Sequence, residues 1–198
     1  YNLQYYKQGH PETEIAYMGC RTRVVGNVYD PDREIIYGRG NLSFTTVNLP
    51  RLGLKSKGNL DIFFKELDKV IDLVIDQLLE RFEMQGRKKV KNSPFLMGQG
   101  IWIDSDKLGE EDEVREVLKH GTLTMGFIGL AECLKALTGK HHGESEESQR
   151  LGLEIIGHMR KRMDEASQKY KMNFSLLATP AEGTAGRFVK MDREIFGS

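Results

Sequence analysis

From Asn59 to Gly86 the chain reads NLDIFFKELDKVIDLVIDQLLERFEMQG, and Phe63, Leu67, Val70, Val74 and Leu78 fall on one stripe at helical spacing. Asn59 offers a capping side chain at the start and Gly86 a stop, so the stretch predicts one long helix with a single apolar face. Such a face has to be buried against a second layer, and the rest of the sequence supplies strands for it. In NLSFTTVNLP, residues 41–50, Leu42, Phe44 and Thr46 alternate with Ser43, Thr45 and Val47 before Pro50 ends the run, as in a strand. Leu123 to Phe127 reads as extended, ahead of a helix from about Gly129 to Leu137 closed by Gly139. Just before it, EEDEVREVLKHG predicts a short helix with acids in its first turn and Gly121 as terminator. Ser145 to Tyr170 predicts a further helix, with Leu151, Ile155, Met159, Met163 and Ala166 inward and Arg160, Lys161 and Arg162 outward. Phe174 to Ala178 is a short apolar run suited to a buried strand. Strands interleaved with helices give an α/β class.

Charge narrows the partners. Lys and Arg number 29 and so do Asp and Glu, which leaves no basic field for nucleic acid and no polybasic anchor for a membrane surface. No apolar run approaches the ~18 residues a spanning helix needs, and no signal peptide opens the chain, so a cytoplasmic protein is expected. With 39% hydrophobic residues over 198 positions, a real core can form. The two cysteines, Cys20 and Cys133, read as reduced thiols, and Cys133 within an apolar helix reads as buried and idle. The cations of GRKKVKNSPF (residues 86–95) read as a solvated loop. So does the His141-His142 pair beside Glu144, because adjacent histidines point apart and lack metal-ligand spacing. The chain starts at Tyr1 with no initiator methionine and reads as a piece of something larger.

MNFSLLATPAEGTAGRF, residues 172–188, is the stretch that points to a ligand. A strand runs straight into a helix start, for which Thr179 offers a cap, Pro180 a first helical residue and Glu182 the return arm of a capping box. A helix N-terminus carries unpaired N–H groups and partial positive charge, and Gly183 and Gly186 remove side chains that would block an approaching phosphate. Neither a Walker A sequence nor Gly-x-Gly-x-x-Gly occurs, and an ordinary capped junction would use the same residues.

Four segments in order, MGCRTR (18–23), GRGNLSFTTVNLPRLGL (38–54), HGTLTMGFIGLAECLKALTGKHHGES (120–145) and SLLATPAEGTAGRF (175–188), resemble the anaerobic, class III ribonucleoside-triphosphate reductases, which are glycyl radical enzymes. The resemblance implies roughly half of a ten-stranded α/β barrel around a finger loop, with residues 1–198 one domain of a larger catalytic barrel. It implies that Cys20 sits at the loop tip as a thiyl radical that takes the ribose 3′ hydrogen, after which the 2′-hydroxyl leaves as water. Hydrogen-atom transfer needs a neutral S–H or its radical, so the guanidinium groups of Arg21 and Arg23 are expected to point away from the sulfur. Asn41 in GRGN matches an asparagine lining the site of formate-using members, where an amide can both donate and accept. Thr179, Ala181, Glu182, Gly183 and Thr184 match the segment that receives substrate phosphates on backbone N–H groups.

The same resemblance implies a ribonucleoside triphosphate substrate, formate as reductant and an iron-sulfur, S-adenosylmethionine activase that installs the glycyl radical. It also implies a zinc site near the family's C-terminus, and a homodimer. The glycyl radical segment, the four-cysteine zinc site and the N-terminal nucleotide-sensing domain have no counterpart in this sequence. Two rivals stand beside this reading. One is a formate-lyase-like glycyl radical enzyme, whose sites carry paired cysteines where MGCR has one. The other is a non-catalytic phosphate-binding module.

Overall fold

The computed structural model describes residues 6–10, 26–33 and 35–197. Its elements run β1 (Asn41–Asn48), α1 (Leu49–Ser56), α2 (Leu60–Gly86), α3 (Arg115–Leu118), β2 (Thr122–Ile128), α4 (Leu130–Thr138), α5 (Glu146–Tyr170), β3 (Asn173–Ala178) and α6 (Glu182–Phe196), with 3-10 turns at Val90–Asn92 and Ser105–Lys107. The strands form one sheet in the order β1-β2-β3. All three run the same way. Thr122 N–H donates to the Gly40 carbonyl near the start of β1 and β2, and Thr46 lies over Gly126 further along both. Thr124 meets Ser175, and Thr179 N–H, further on, donates to Phe127. Residue numbers rise together across each pair, the mark of a parallel sheet. The α/β expectation holds.

The long helix forms as its periodicity dictates. Ile62 N–H donates to Asn59 Oδ1 at 3.0 Å, and Phe63, Leu67, Val74 and Leu78 are buried. Ile71, Ile75 and Phe82 join them while Val70 is half-buried, because at 3.6 residues per turn the buried face is centred near Ile71 and Leu78 and Val70 falls at its edge. Each such side chain contributes about 1.5–3 kcal/mol on burial. On α5, Ser148 N–H donates to Ser145 Oγ, and Leu151, Ile155, Met159, Met163 and Ala166 are all buried. Arg160–Arg162 are not simply an outer stripe, since the Arg162 guanidinium reaches Asp68 and Asp72 of α2. The predicted helix before Gly121 is only four residues long, α3, and Gly121 feeds directly into β2 beneath Leu42.

One helix is not anticipated from the sequence. Pro50, read as a strand stop, sits in the first turn of α1, which follows β1 without a loop and is capped by Asn48 Oδ1 accepting from Arg51 N–H at 3.2 Å.

The chain divides into two compact units that cut across the strands and long helices. One comprises Tyr1–Phe44, Asp76–Thr124 and Asp164–Ser175. There Arg81 donates to Ser43 Oγ and the Phe44 carbonyl, Gln85 to the Leu42 carbonyl, and Trp102 Nε1 to the Val117 carbonyl. The other comprises Thr45–Ile75, Met125–Met163 and Leu176–Ser198. In it α1 packs on α4 so closely that a Cβ on Gly53 would lie 2.9 Å from the Cys133 carbonyl oxygen. Among the described residues no helix is long and apolar enough to cross a membrane.

Candidate functional site

At the C-terminal ends of the three strands the chain enters a helix each time: β1 through Asn48 into α1, β2 through Gly129 into α4, and β3 through Thr179-Pro180-Ala181 into α6. Gly129 takes φ 80°, a conformation that favours glycine, so β2 turns into α4 at a single residue. Open α/β sheets place ligands at this edge, because helix N-termini converge there.

The junction at α6 corrects the expected cap. Ala181, with φ −139° and ψ 78°, holds the N-cap position and makes no side-chain cap hydrogen bond; Glu182 is the first helical residue, and Pro180 precedes the cap. Thr179 does not cap because both its groups are engaged elsewhere. Its N–H donates to the Phe127 carbonyl at 3.0 Å, continuing the β2–β3 ladder, and its hydroxyl lies 3.1 Å from the Thr46 hydroxyl. Strand pairing therefore persists through Thr179 and starts the helix two residues later than a Thr179 cap would. Between the two threonines lies the bare Gly126, where a Cβ would stand 2.0 Å from Thr179 Oγ1 and 2.9 Å from Thr46 Oγ1.

Ala185 N–H is bonded to the Ala181 carbonyl at 2.9 Å, so the N–H groups of Glu182, Gly183 and Thr184 have no acceptor within the helix. A Cβ at Gly183 or Gly186 would meet nothing within 4 Å, and Glu182 and Gly183 are exposed. These groups can donate to an anion that approaches along the helix axis. Behind them Asp192 of α6 accepts from Asn48 Nδ2 at 2.8 Å and from Arg51 Nε at 2.6 Å. A cavity of about 630 Å³ opens beside this group, walled mainly by Pro50, Leu54, Ile128, Phe188, Val189 and Phe196.

Of the other expected site residues, Asn41 is the exposed first residue of β1. Cys20, Arg21 and Arg23 lie outside the described residues. Cys133 is fully buried and its thiol is pushed up to about 12 by loss of solvation, the idle thiol expected of it. In the basic loop Lys89 and Lys91 are each bound to Glu111. His141 accepts from Gly143 N–H, and among the described residues no three His, Cys, Asp or Glu side chains gather as metal ligands.

A buried polar cluster that local sequence patterns do not reveal holds Gly26, Asn27, Val28 and Ile35 ahead of β1. Arg39, 5% exposed, donates to the carbonyls of Gly26, Ile35 and His120 at 2.8, 2.9 and 2.8 Å. Asn173 accepts from Val28 N–H at 2.7 Å and donates to Asn27 Oδ1 at 3.2 Å. The Asn27 amide faces His120 Nδ1 at 3.1 Å, and Nε2 lies 3.3 Å from Asp104 and 3.4 Å from the Arg33 guanidinium. Burial and the nearby Arg33 hold His120 below its ordinary value, so the ring is neutral. Arg39 belongs to the GRGN segment and His120 opens the HGTLT segment, and those are the sequence signals that pointed here.

A family model for anaerobic ribonucleoside-triphosphate reductase matches residues 1–198. The chain belongs to the anaerobic ribonucleoside-triphosphate reductase family. It is 32% identical over 183 residues to the anaerobic ribonucleoside-triphosphate reductase of Salmonella typhimurium, covering 91% of this chain and 25% of that protein. To the enzyme of Enterobacteria phage T4 it is 30% identical over 190 residues, covering 93% of this chain and 29% of the phage protein. The chain thus spans about a quarter of the length of these reductases. In fold it is similar to an anaerobic ribonucleotide reductase structure at TM-score 0.67 with 20% identity, over 81% of this chain and 24% of the other. The Thermotoga maritima anaerobic ribonucleotide reductase in complex with dATP and CTP matches at TM-score 0.61 with 21% identity, over 81% of this chain and 25% of that one.

Proposed function

We propose that this chain is part of a ten-stranded α/β catalytic barrel, with Cys20 on its finger loop, in an enzyme that reduces ribonucleoside triphosphates to deoxyribonucleotides. The observation that carries the reading is the β3–α6 junction. Strand pairing runs through Thr179 to a helix whose first N–H groups, on Glu182, Gly183 and Thr184, have no acceptor within it, in a chain whose family match covers all 198 residues. In this reading those groups receive the substrate's phosphates. The complex of the Thermotoga maritima relative with dATP and CTP supports a nucleotide as the ligand.

Cys20 takes the ribose 3′ hydrogen atom, forming S–H as the C3′–H bond breaks, and the 2′-hydroxyl then departs as water. A glycyl radical, installed by an iron-sulfur, S-adenosylmethionine activase, supplies the unpaired electron. Asn41, an exposed amide with both donor and acceptor atoms, suits a formate carboxylate or a ribose hydroxyl, and formate supplies the reducing equivalents. The working form is a cytoplasmic homodimer. The family match favours this reading over a formate-lyase-like enzyme.

The test is Gly183→Pro in the full-length protein, which removes one of the N–H donors at a position where proline fits a first helical turn. CTP binding is lost while circular dichroism shows the fold intact. Unchanged affinity for CTP refutes the phosphate assignment.

A further inference from the structure

We infer that Thr46 is a positioning residue for substrate phosphates: through its bond to the Thr179 hydroxyl across Gly126 it sets where the N-terminus of α6 stands. The inference rests on the phosphate reading above.

Consider what fixes the α6 start. Its cap residue, Ala181, has no side-chain group to hold it, and the N–H groups of Glu182, Gly183 and Thr184 have no acceptor within the helix. Pro180 has no N–H to pair. The Ala181 N–H donates only to the carbonyl of Thr179, 3.1 Å away, a contact internal to the turn. Asp192 holds the middle of α6 to Asn48 and Arg51, and the turn before the helix is tied to the sheet through Thr179, by its N–H to Phe127 and its hydroxyl to Thr46. The backbone bond fixes distance from β2, and the hydroxyl bond reaches past β2 to β1, fixing the rotation of Thr179 about the strand. Gly126 is what permits this second tie, because any side chain there would occupy the space between the two hydroxyls.

Thr46 contacts no first-turn N–H donor itself, so its effect on a bound phosphate has to pass through Thr179. A shift of about 1 Å at donors that work only at hydrogen-bond distance weakens phosphate binding without touching the sugar or base. That separation gives the inference a readout that a loss of general stability does not produce.

The experiment uses the full-length protein and measures equilibrium binding of CTP and of cytidine, which lacks phosphates, to wild type, Thr46→Val, Thr46→Ser and Gly183→Pro. Thr46→Val keeps the shape and removes the hydroxyl. CTP binding weakens about tenfold, the scale of one lost hydrogen bond with its partner left unpaired, and cytidine binding is unchanged. Thr46→Ser keeps the hydroxyl and binds both ligands as wild type does. Wild-type CTP affinity in Thr46→Val beside a defective Gly183→Pro overturns this inference alone. Wild-type affinity in both variants overturns the phosphate reading and the inference with it. An equal loss for CTP and cytidine, or a CTP defect in Thr46→Ser, marks a merely structural threonine and overturns the inference too.

Discussion

Arg51 and Asp192, 141 residues apart in sequence, meet with Nε 2.6 Å from Oδ1 and join the first turn of α1 to α6. The Asp192 side chain is 11% exposed and its other oxygen accepts from Asn48, which also caps α1, so one carboxylate supports a helix start and an interhelical contact together. Asp192→Ala leaves a largely buried guanidinium without its carboxylate and frees the capping residue. The expected loss is about 2–4 kcal/mol in urea denaturation. Asn48→Ala removes the cap and one donor to Asp192, with a smaller loss of about 1 kcal/mol. Equal losses for the two would show that the ion pair adds nothing beyond the cap.

Gly126 separates two hydroxyls that need its missing side chain. In Gly126→Ala the new Cβ would stand 2.0 Å from Thr179 Oγ1, so either the Thr46–Thr179 bond breaks or β2 shifts. Overpacking of this kind costs about 1–3 kcal/mol. Most of the conflict is with one atom, which predicts non-additivity: Gly126→Ala together with Thr179→Ala is less destabilised than the sum of the single variants. A double variant at the additive value would place the strain elsewhere.

These two relationships show where local sequence is informative and where it is silent. The stripes of α2 and α5 were legible because burial of one helical face imposes a period that survives in the residues from Phe63 to Leu78 and from Leu151 to Ala166. α1 was not, since eight residues beginning directly after the last residue of a strand, with Pro50 in the first turn, look like a strand's end. The α6 junction was legible as strand then helix but shifted at its cap, because the partners that claim Thr179, Phe127 and Thr46, lie 52 and 133 residues away in the chain. The Arg39, His120 and Asn173 cluster has no period at all. Pairings such as Asn27 with Asn173, 146 residues apart, exist only once the fold has formed.

That cluster predicts a two-step loss of stability on acidification. His120 is held below its ordinary value, first by burial and then by Arg33, so near pH 6.5 the unfolded chain takes up a proton that the native chain refuses. Stability is full above that pH and falls as pH drops through it. Asp104 is held well below the usual carboxylate range chiefly by its hydrogen bonds from Arg33, and its contribution is present above about pH 4 and is lost at lower pH. Urea midpoints measured from pH 8 to pH 3 show both steps in wild type. His120→Gln removes the upper step and keeps the lower. A single step near pH 4 in wild type would mean that His120 titrates normally.

Cys133 predicts a silent thiol. It is fully buried on α4 against α1, and its pKa is pushed up to about 12 by burial, so almost no thiolate exists at pH 8. Peptide mapping after reaction with iodoacetamide shows Cys133 unmodified in the native chain and modified in urea. Rapid native labelling would place α4 in fast local opening.

Arg39 carries the last expectation. Its guanidinium reaches the carbonyls of Gly26, Ile35 and His120, which tie both ends of the segment before β1 to the residues leading into β2. Lysine preserves the charge but is a single point donor on a flexible stem and does not span three acceptors set around a planar fork. Arg39→Lys therefore leaves at least one of these carbonyls without its donor and costs about 1–3 kcal/mol, while Arg39→Met removes all three bonds, with Asn173 still donating to the His120 carbonyl, and costs more. The two effects differ in place as well as size from those at Asp192. Amide exchange in the Arg39 variants rises first at Val28 and Thr122, whose N–H groups donate to Asn173 and Gly40 next to the cluster. Exchange that stays slow at both amides while global stability falls would show that Arg39 acts on the unfolded chain rather than as a clamp on this segment.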